Sequence, residues 1–247
     1  MTLELAVVTG GGAGLGRIIV GRLAGQGAHV VIADRDREAG SVVADEVQQM
    51  GGRATFVQTD MSEEKEVRQL IQRVAGLGPL SVLVNNAGGW LPGPQFPDTE
   101  EPQPGPQPRD ADAGDPVGAP VAGSWRHSSQ HLLEWRLGLG PVRASGVWGA
   151  KAGLIRFTTA VSDFADRYGV RVSCIVPHWI GLPRAVAEYE RMSIEEQRRR
   201  SGLIDPDVVA DAVTDLASDP DCAGRVIVVR AGRPPYAIDP ANSDPFR

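Results

Sequence analysis

Residues 7–17 have the sequence Val-Val-Thr-Gly-Gly-Gly-Ala-Gly-Leu-Gly-Arg, in which a β-branched run breaks into a glycine cluster and then resumes with helical spacing. This order predicts a strand, a phosphate-binding loop and the start of a helix. Gly10 permits the tight turn, Gly14 lets a pyrophosphate approach the backbone, and Gly16 lets the helix pack against the strand. The free N–H groups at the helix start and the helix dipole then face the anion.

The second strand of this pattern ends in a carboxylate. Residues 29–33 are mostly apolar, and Asp34 follows them, eighteen residues after Gly16. A carboxylate at this distance from the glycine loop can bind the ribose diol of a dinucleotide. Because a carboxylate repels a 2′-phosphate, Asp34 favours NAD over NADP, whereas the adjacent Arg35 acts in the opposite direction. NAD is therefore the predicted cofactor, and NADP is the less favoured one.

Composition limits the class of protein. The 247 residues suit one α/β domain, residues 1–247, with a single core. A net charge of -6 argues against nucleic acid or an anionic membrane as the main partner, and the run 198–200, Arg-Arg-Arg, is interpreted as a solvated helix end. Cys174 and Cys222 are interpreted as buried thiols, so neither a disulfide framework nor a metal site is predicted. With no apolar run of membrane-spanning length and no leader pattern, a cytoplasmic location is expected.

Strand and helix patterns alternate after the glycine loop. Apolar strand patterns at 54–57 and 80–84 are separated by a helical pattern, and another helical pattern at 37–50 precedes them. Alternation of this kind predicts a parallel sheet with crossover helices. The predicted fold class is a single α/β domain with a doubly wound parallel sheet of Rossmann type.

The first part of the chain resembles the short-chain dehydrogenase/reductase family. Its glycine loop with Thr9, then Asp34, Asp60 and the run 85–88, Asn-Asn-Ala-Gly, stand where that family has its cofactor loop, ribose carboxylate, adenine contact and sheet-stabilising motif. The resemblance covers residues 1–96 here and resumes later in the chain.

The second part of the resemblance spans residues 148–235. Lys151, within Gly-Ala-Lys-Ala-Gly, is similar to the lysine of the family's Tyr-x-x-x-Lys pair. Residues 170–177 are similar to its sixth strand and proline turn, and residues 224–229 to its last strand.

The resemblance implies a nicotinamide-dependent oxidoreductase that interconverts an alcohol and a carbonyl on a small-molecule substrate, as a homodimer or homotetramer. In that family a tyrosine is the acid/base, a lysine lowers its pKa and holds the ribose, a serine binds the substrate oxygen, and an asparagine completes a proton relay. A phenol, with a pKa of about 10, needs such help at neutral pH. The implied catalytic residue is Lys151, and the implied cofactor-binding residues are Thr9, Gly10, Gly12, Ala13, Gly14, Leu15, Gly16, Asp34, Arg35, Asp60, Met61, Asn86, Ala87, Gly88, Lys151, Pro177 and Ile180.

The catalytic pattern of the family is incomplete in this chain. Val147, which cannot titrate, stands four residues before Lys151, at the position of the family's tyrosine, and Leu133 and Glu134 lie where its serine is expected. Residues 92–120 hold nine of the nineteen prolines, a density that forbids a regular helix. Residues 97–147 are therefore predicted to be an irregular or disordered replacement of the family's central helix and strand.

Three interpretations of this segment are open. Taken as written, it is a disordered loop or a proline-rich interaction insert, although losing an interior strand costs about 1–3 kcal/mol for each hydrogen bond left unmade. A second interpretation is an NAD-binding family member that has lost catalysis and acts as a sensor or partner subunit. The third is a change of reading frame in the gene or its sequence.

The genetic code provides a test of the frame interpretation. Moved forward by one nucleotide, the codons of Val147 and Trp148 can contain TAT, a tyrosine codon four codons before Lys151. The same shift allows Ile-Ser-Ser-Ser-Gly at codons 131–135, with the last serine thirteen codons before that tyrosine, and Asp-Leu-Asn-Leu at codons 105–108. The missing tyrosine, serine and asparagine thus all come from one frame.

Residues after the sixth strand are predicted to face the ligand, because ligands bind at the carboxyl edge of open α/β sheets. His178 lies at this edge, as either a residue facing the nicotinamide or substrate or a solvated loop histidine. Residues 182–200 are predicted to form a helical flap over the substrate, with Ser193 capping its second part. Three apolar residues can line a pocket or pack as ordinary core: Trp179, Leu182 and Tyr189.

Overall fold

A computed structural model describes residues 3–88, 127–131, 145–200 and 202–238, and for residues 127–131 and 145–152 it describes the backbone alone. The strands are β1 (Leu5–Thr9), β2 (His29–Asp34), β3 (Arg53–Gln58), β4 (Val82–Asn85), β5 (His127–His131), β6 (Arg171–Pro177), β7 (Val226–Val229) and β8 (Tyr236–Ile238). The helices are α1 (Gly14–Gly25), α2 (Arg37–Gln49), α3 (Glu64–Ala75), α4 (Ser145–Ala160), α5 (Phe164–Tyr168), α6 (Pro183–Glu190), α7 (Ile194–Arg199) and α8 (Pro206–Ser218).

These strands form one sheet in the order β3-β2-β1-β4-β5-β6-β7-β8. From β3 to β7 every neighbouring pair is parallel, which confirms the predicted doubly wound sheet. The last strand, β8, pairs antiparallel with β7. The short connection between these two strands explains the difference, because a parallel return needs a crossover of about a dozen residues or more.

Two layers of helices cover the sheet. On one face, α1, α2 and α8 bury aliphatic side chains against the strands, including the fully buried Ile19, Leu23 and Val213. On the other face, Leu70 and Val74 of α3 pack on β1 and β2, and α4 packs on β6. No helix within the described residues is long and apolar enough to cross a membrane.

The central strand β5 lies inside the segment predicted to be irregular, residues 97–147. It pairs with β4 from Leu83↔Ser128 onward and with β6 from His127↔Arg171 onward. For residues 127–131, and for residues 145–147 at the start of α4, the prediction of irregular structure is corrected. The physical reason is that β4 and β6 each need a parallel neighbour for their N–H and C=O groups. The rest of the segment, 97–126 and 132–144, lies outside the described residues.

Candidate functional site

The glycine loop connects the carboxyl end of β1 to the first turn of α1. Gly10 and Gly14 have φ values of +64° and +53°, a left-handed conformation that side chains with a Cβ rarely adopt. The Gly10 N–H donates to the carbonyl of Ala33 at 2.7 Å, which ties the loop to β2. A Cβ on Gly16 would lie 2.0 Å from the Gly10 carbonyl oxygen, so only glycine lets α1 approach the loop this closely.

The N-terminus of α1 has no capping side chain. Ala13 occupies the N-cap position and accepts no hydrogen bond through its side chain, and no acidic residue stands in the first turn. Helices whose first N–H groups lack a side-chain partner present these groups and the positive end of the dipole to an anion. The loop therefore fits a pyrophosphate by its backbone alone.

The Asp34 carboxylate at the end of β2 joins two backbone segments. Its Oδ2 accepts the Gly12 N–H at 2.9 Å, and its Oδ1 accepts the Asp36 N–H at 3.0 Å. Each oxygen retains a lone pair for a further donor. A Cβ on Gly12 would lie 2.9 Å from Oδ2, so the contact with the loop depends on glycine. The sequence placed Asp34 at this edge but gave no sign of its bond to Gly12, which forms only when β1 and β2 pair.

Asp60 and Met61 follow β3 at the same edge. The Asp60 Oδ1 accepts the N–H of Ser62 at 2.9 Å and its hydroxyl at 2.7 Å. These two bonds, with a smaller effect from the positive charge of Arg35, hold the pKa of the Asp60 carboxyl below its usual value. The Met61 side chain is 36% exposed. The carboxylates of Asp34 and Asp60 and the guanidinium of Arg35 thus border the place expected for the adenosine.

Thr9 and Asn86 lock the end of β1 to the end of β4. The Thr9 hydroxyl donates to the Val84 carbonyl at 3.3 Å and accepts the N–H groups of Asn86 and Ala87 at 3.0 and 2.9 Å. The Asn86 side-chain N–H₂ donates to the carbonyls of Thr9 and Gly10 at 3.0 and 3.2 Å. These predicted site residues hold the loop in shape through hydrogen bonds that are buried or partly buried, and Gly88 follows them at the same edge.

Replacing Thr9 with valine is expected to lower the free energy of unfolding by about 1–3 kcal/mol. The change keeps the shape of the side chain but leaves the Ala87 N–H without its partner, at about 1–3 kcal/mol, whereas the Asn86 N–H and the Val84 carbonyl keep their bond to each other at 3.0 Å. Thr9→Ser is the matched control, because it keeps the hydroxyl and should cost less than about 1.5 kcal/mol. Urea unfolding of both variants measures the difference, and equal losses would show that the hydroxyl contributes nothing.

Lys151 and Val147 lie one turn apart on α4, the helix that packs on β6. The structure describes only their backbone, so the predicted roles of Lys151 remain predictions. Pro177 ends β6 opposite Val229. Ile180 is 3% exposed and forms a bridge with Ile204, so its side chain belongs to the core and only its backbone can face a ligand.

The predicted flap begins directly over the glycine loop. A Cβ on Gly14 would lie 3.5 Å from Leu182 Cδ1, which places the Leu182 side chain against the phosphate-binding turn. Trp179 and Tyr189 meet edge to face, with ring centroids 5.8 Å apart. The structure therefore brings Leu182 to the loop and places the two aromatic rings in contact with each other. The predicted cap of Ser193 is confirmed, because it forms a reciprocal capping box with Glu196.

A glycine loop after the first strand and a carboxylate after the second, on a parallel sheet of this order, define a dinucleotide-binding protein of the Rossmann class. The family model for short chain dehydrogenase matches residues 4–103. Cis-4-hydroxycyclohexanecarboxylate dehydrogenase of Sinomonas cyclohexanicum is 30% identical over 255 residues, covering 93% of this chain and 96% of that protein. The chain therefore belongs to the short-chain dehydrogenase family of oxidoreductases, which confirms the resemblance seen in its motifs.

One further relative is more similar in sequence but over a shorter stretch, and two solved structures are similar in fold. The 7alpha-hydroxysteroid dehydrogenase of Escherichia coli K12 is 42% identical over 92 residues, which are 37% of this chain and 36% of that enzyme, so the match spans about a third of its length. A structure of 7 alpha-hydroxysteroid dehydrogenase with NADH and 7-oxo glycochenodeoxycholic acid gives a TM-score of 0.70 at 22% identity, covering 94% of each chain. An actinorhodin polyketide ketoreductase variant with NADPH gives 0.68 at 24% identity, covering 93% of this chain and 96% of that one. These two likenesses show the fold, and they include both cofactors.

Proposed function

We propose that the chain binds NAD and interconverts an alcohol and a carbonyl on a small-molecule substrate. The observation that carries the proposal is the Asp34 carboxylate, held at 2.9 Å from the Gly12 N–H beside the uncapped start of α1. The loop would hold the pyrophosphate and Asp34 the adenosine ribose. The Sinomonas relative, which is named for a hydroxy acid, fits a substrate of this kind.

The bound nicotinamide would supply hydride chemistry, and the residues of this chain would position it. The carboxyl edge of β6, at Pro177, lies on the same side of the sheet as the loop, where the substrate crevice of open α/β folds is found. Leu182, packed against Gly14, would cover the pyrophosphate and exclude water from it. Lys151 would bind the nicotinamide ribose, as the family resemblance implies.

Fluorescence titration with NADH and NADPH tests the cofactor part of this proposal. The negative charge of Asp34 is expected to give NADH the higher affinity, since a 2′-phosphate would lie against a carboxylate. An NADPH affinity equal to or above that of NADH would contradict the assignment.

Replacing Asp34 with asparagine is expected to lower the ratio of the NADPH to the NADH dissociation constant by roughly 10- to 100-fold. This corresponds to about 1.4–2.8 kcal/mol of binding free energy. Asparagine keeps one oxygen, which can accept the Gly12 N–H, and removes the charge that repels the 2′-phosphate. It loses the bond from the Asp36 N–H, but that loss affects the binding of both cofactors and cancels in the ratio of their dissociation constants. Asp36→Asn is the control, because that carboxylate caps α2 through the Ala39 N–H, a role that asparagine also fills. The ratio of the two dissociation constants, measured for both variants, separates a charge effect at Asp34 from a general effect on this turn.

A second candidate function is cofactor binding without catalysis, as a sensor or a partner subunit. Val147 favours it, because a valine four residues before Lys151 cannot donate or accept a proton. A turnover assay beside the NADH titration distinguishes the two functions. Binding with turnover supports the dehydrogenase, and binding without turnover of any secondary alcohol or ketone supports the second function.

A further inference from the structure

Arg200 differs in its surroundings from the two arginines that precede it. Arg198 and Arg199 are exposed, and Arg199 pairs with Glu195 at 3.8 Å across one turn of α7. The Arg200 side chain instead lies over the Trp179 ring, with Cζ 4.8 Å from the ring centroid, and the residue is half-buried. In the run predicted to be a solvated helix end, Arg198 and Arg199 are therefore exposed, whereas Arg200 is half-buried.

Hydrogen bonds hold the two ends of the flap, residues 182–200, next to each other. This places Arg200 at the edge of the sheet. The Ile204 N–H donates to the Trp179 carbonyl at 2.8 Å, and the Gly181 N–H donates to the Ile204 carbonyl at 2.7 Å. Residues 181–204 thus leave and return at one point, just beyond the end of β6. Arg200, four residues before the return, is held next to Trp179, two residues after Pro177.

Inside the flap, a second set of hydrogen bonds fixes the end of α7 against α6. The Gln197 side chain donates to the Tyr189 carbonyl at 2.8 Å and to the Met192 carbonyl at 3.4 Å. Tyr189 in turn meets Trp179 edge to face. The Trp179 indole therefore contacts both the Tyr189 ring and the Arg200 guanidinium.

Stacking leaves the binding capacity of the guanidinium intact. An arginine that lies over an aromatic ring uses the face of its planar group, while its N–H donors point outward in that plane and match the two oxygens of a carboxylate. Among the described residues, no ion pair engages Arg200. The charge of Arg200 also acts on the nearby Glu196, whose Oε2 accepts the Ser193 N–H at 2.9 Å and its hydroxyl at 2.8 Å, so one oxygen of that carboxylate is already bound within the flap.

We infer that Arg200, supported by Trp179, is a specificity-determining residue that binds a carboxylate carried by the small-molecule substrate. This inference rests on the proposed function, because it places the substrate in the crevice at the carboxyl edge of β6. A half-buried cation beside an aromatic ring at this edge favours an acid over its neutral analogue. The substrate class is then a hydroxy or oxo carboxylic acid.

Calorimetric titration of the NADH complex with benzoate and with benzamide tests the inference. The two probes have nearly the same shape and differ in charge. Benzoate is expected to bind at least about ten times more tightly than benzamide, which corresponds to a difference in binding free energy of about 1.4 kcal/mol. Arg200→Gln is expected to bring the ratio close to one, and Arg200→Lys, which keeps the charge without the planar fork, is expected to give an intermediate ratio. Arg198→Gln, in the exposed neighbour, is the control and should leave the ratio unchanged.

The outcomes separate this inference from the proposed function. Equal binding of the two probes by the unaltered chain, or a preference for benzoate that survives Arg200→Gln, overturns it. A loss of NADH affinity in Arg200→Gln that is as large as the loss of benzoate affinity also overturns it, because Arg200 would then serve the cofactor. Failure of the unaltered chain to bind NADH contradicts the proposed function, whereas the benzoate ratio measured without NADH still decides the role of Arg200.

Discussion

Replacing Gly16 with alanine is expected to weaken NADH binding at least about a hundredfold and to lower the free energy of unfolding by about 3 kcal/mol, the upper end of ordinary overpacking. The added Cβ would lie 2.0 Å from the Gly10 carbonyl oxygen, 2.8 Å from the Gly10 carbonyl carbon and 2.7 Å from Asn86 Nδ2. Two of these atoms are backbone, so no rotation of a side chain relieves the contact. Either α1 moves away from the sheet or the phosphate-binding turn changes shape.

Gly21→Ala in the same helix is the matched control for this prediction. A Cβ at Gly21 meets no atom within 4 Å, and alanine is the better helix former by about 0.5–1 kcal/mol. This variant should therefore bind NADH normally and unfold at a slightly higher urea concentration. Thermal or urea unfolding together with NADH titration measures both effects. Normal NADH affinity in Gly16→Ala would show that the loop does not hold the cofactor.

The sequence was sufficient for the elements whose signal is local. The glycine loop, the carboxylate after β2 and the cap of α7 at Ser193 depend on neighbouring residues, and the structure has each of them where the pattern predicted it. Arg200 illustrates what the sequence could not provide. Its contact with Trp179 exists because the flap returns to the end of β6, and spacing along the chain contains no sign of that return.

Strand β5 was not predicted, for a different physical reason. Its five residues, His-Ser-Ser-Gln-His, are all polar, whereas a strand inside a parallel sheet covered on both faces is typically a run of aliphatic residues. Its neighbours show that rule, since β4 is Val-Leu-Val-Asn and β6 contains Cys-Ile-Val. The sequence as written and the position of β5 therefore disagree.

The forward reading frame removes this disagreement. Shifted by one nucleotide, the codons of residues 127–131 can encode Ile-Val-Val-Asn-Ile, provided that both serines use AGT. This is the composition that an interior parallel strand needs. It directly precedes the Ser-Ser-Ser that the same frame allows at codons 132–134. Strand composition thus supports the frame interpretation on physical grounds that are independent of the family's catalytic residues.

The comparisons point to the same segment. The family model matches through residue 103 and not beyond, and the 42% identity to the E. coli enzyme holds over only 92 residues. The Sinomonas relative nevertheless aligns over 93% of the chain. Similarity that is high in the first part and continues at a lower level across the whole chain is expected when a segment in the middle is translated in another frame.

A chain made from the gene with the forward frame restored between codons 97 and 151 is expected to turn over, at a rate roughly 10²- to 10⁴-fold above that of the chain as written. That factor is typical for one positioned general acid, which the tyrosine at codon 147 would provide one helical turn before Lys151. The assay follows NADH formation over a panel of secondary alcohols that includes hydroxy acids. A second restored chain with phenylalanine at codon 147 is the control, and it should lose the gained rate while binding NADH equally well.

The masses of the proteolytic peptides between Arg109 and Lys151, taken from protein produced in its own cells, decide which frame is translated. Masses that match the forward frame would explain the polar β5, the prolines and Val147 by one cause. Masses that match the sequence as written, together with turnover by that chain, would contradict the frame interpretation and require an acid/base other than the tyrosine. Masses as written without turnover would instead support the proposed NAD-binding sensor, because the loop and Asp34 would hold a cofactor independently of the residues that act on it.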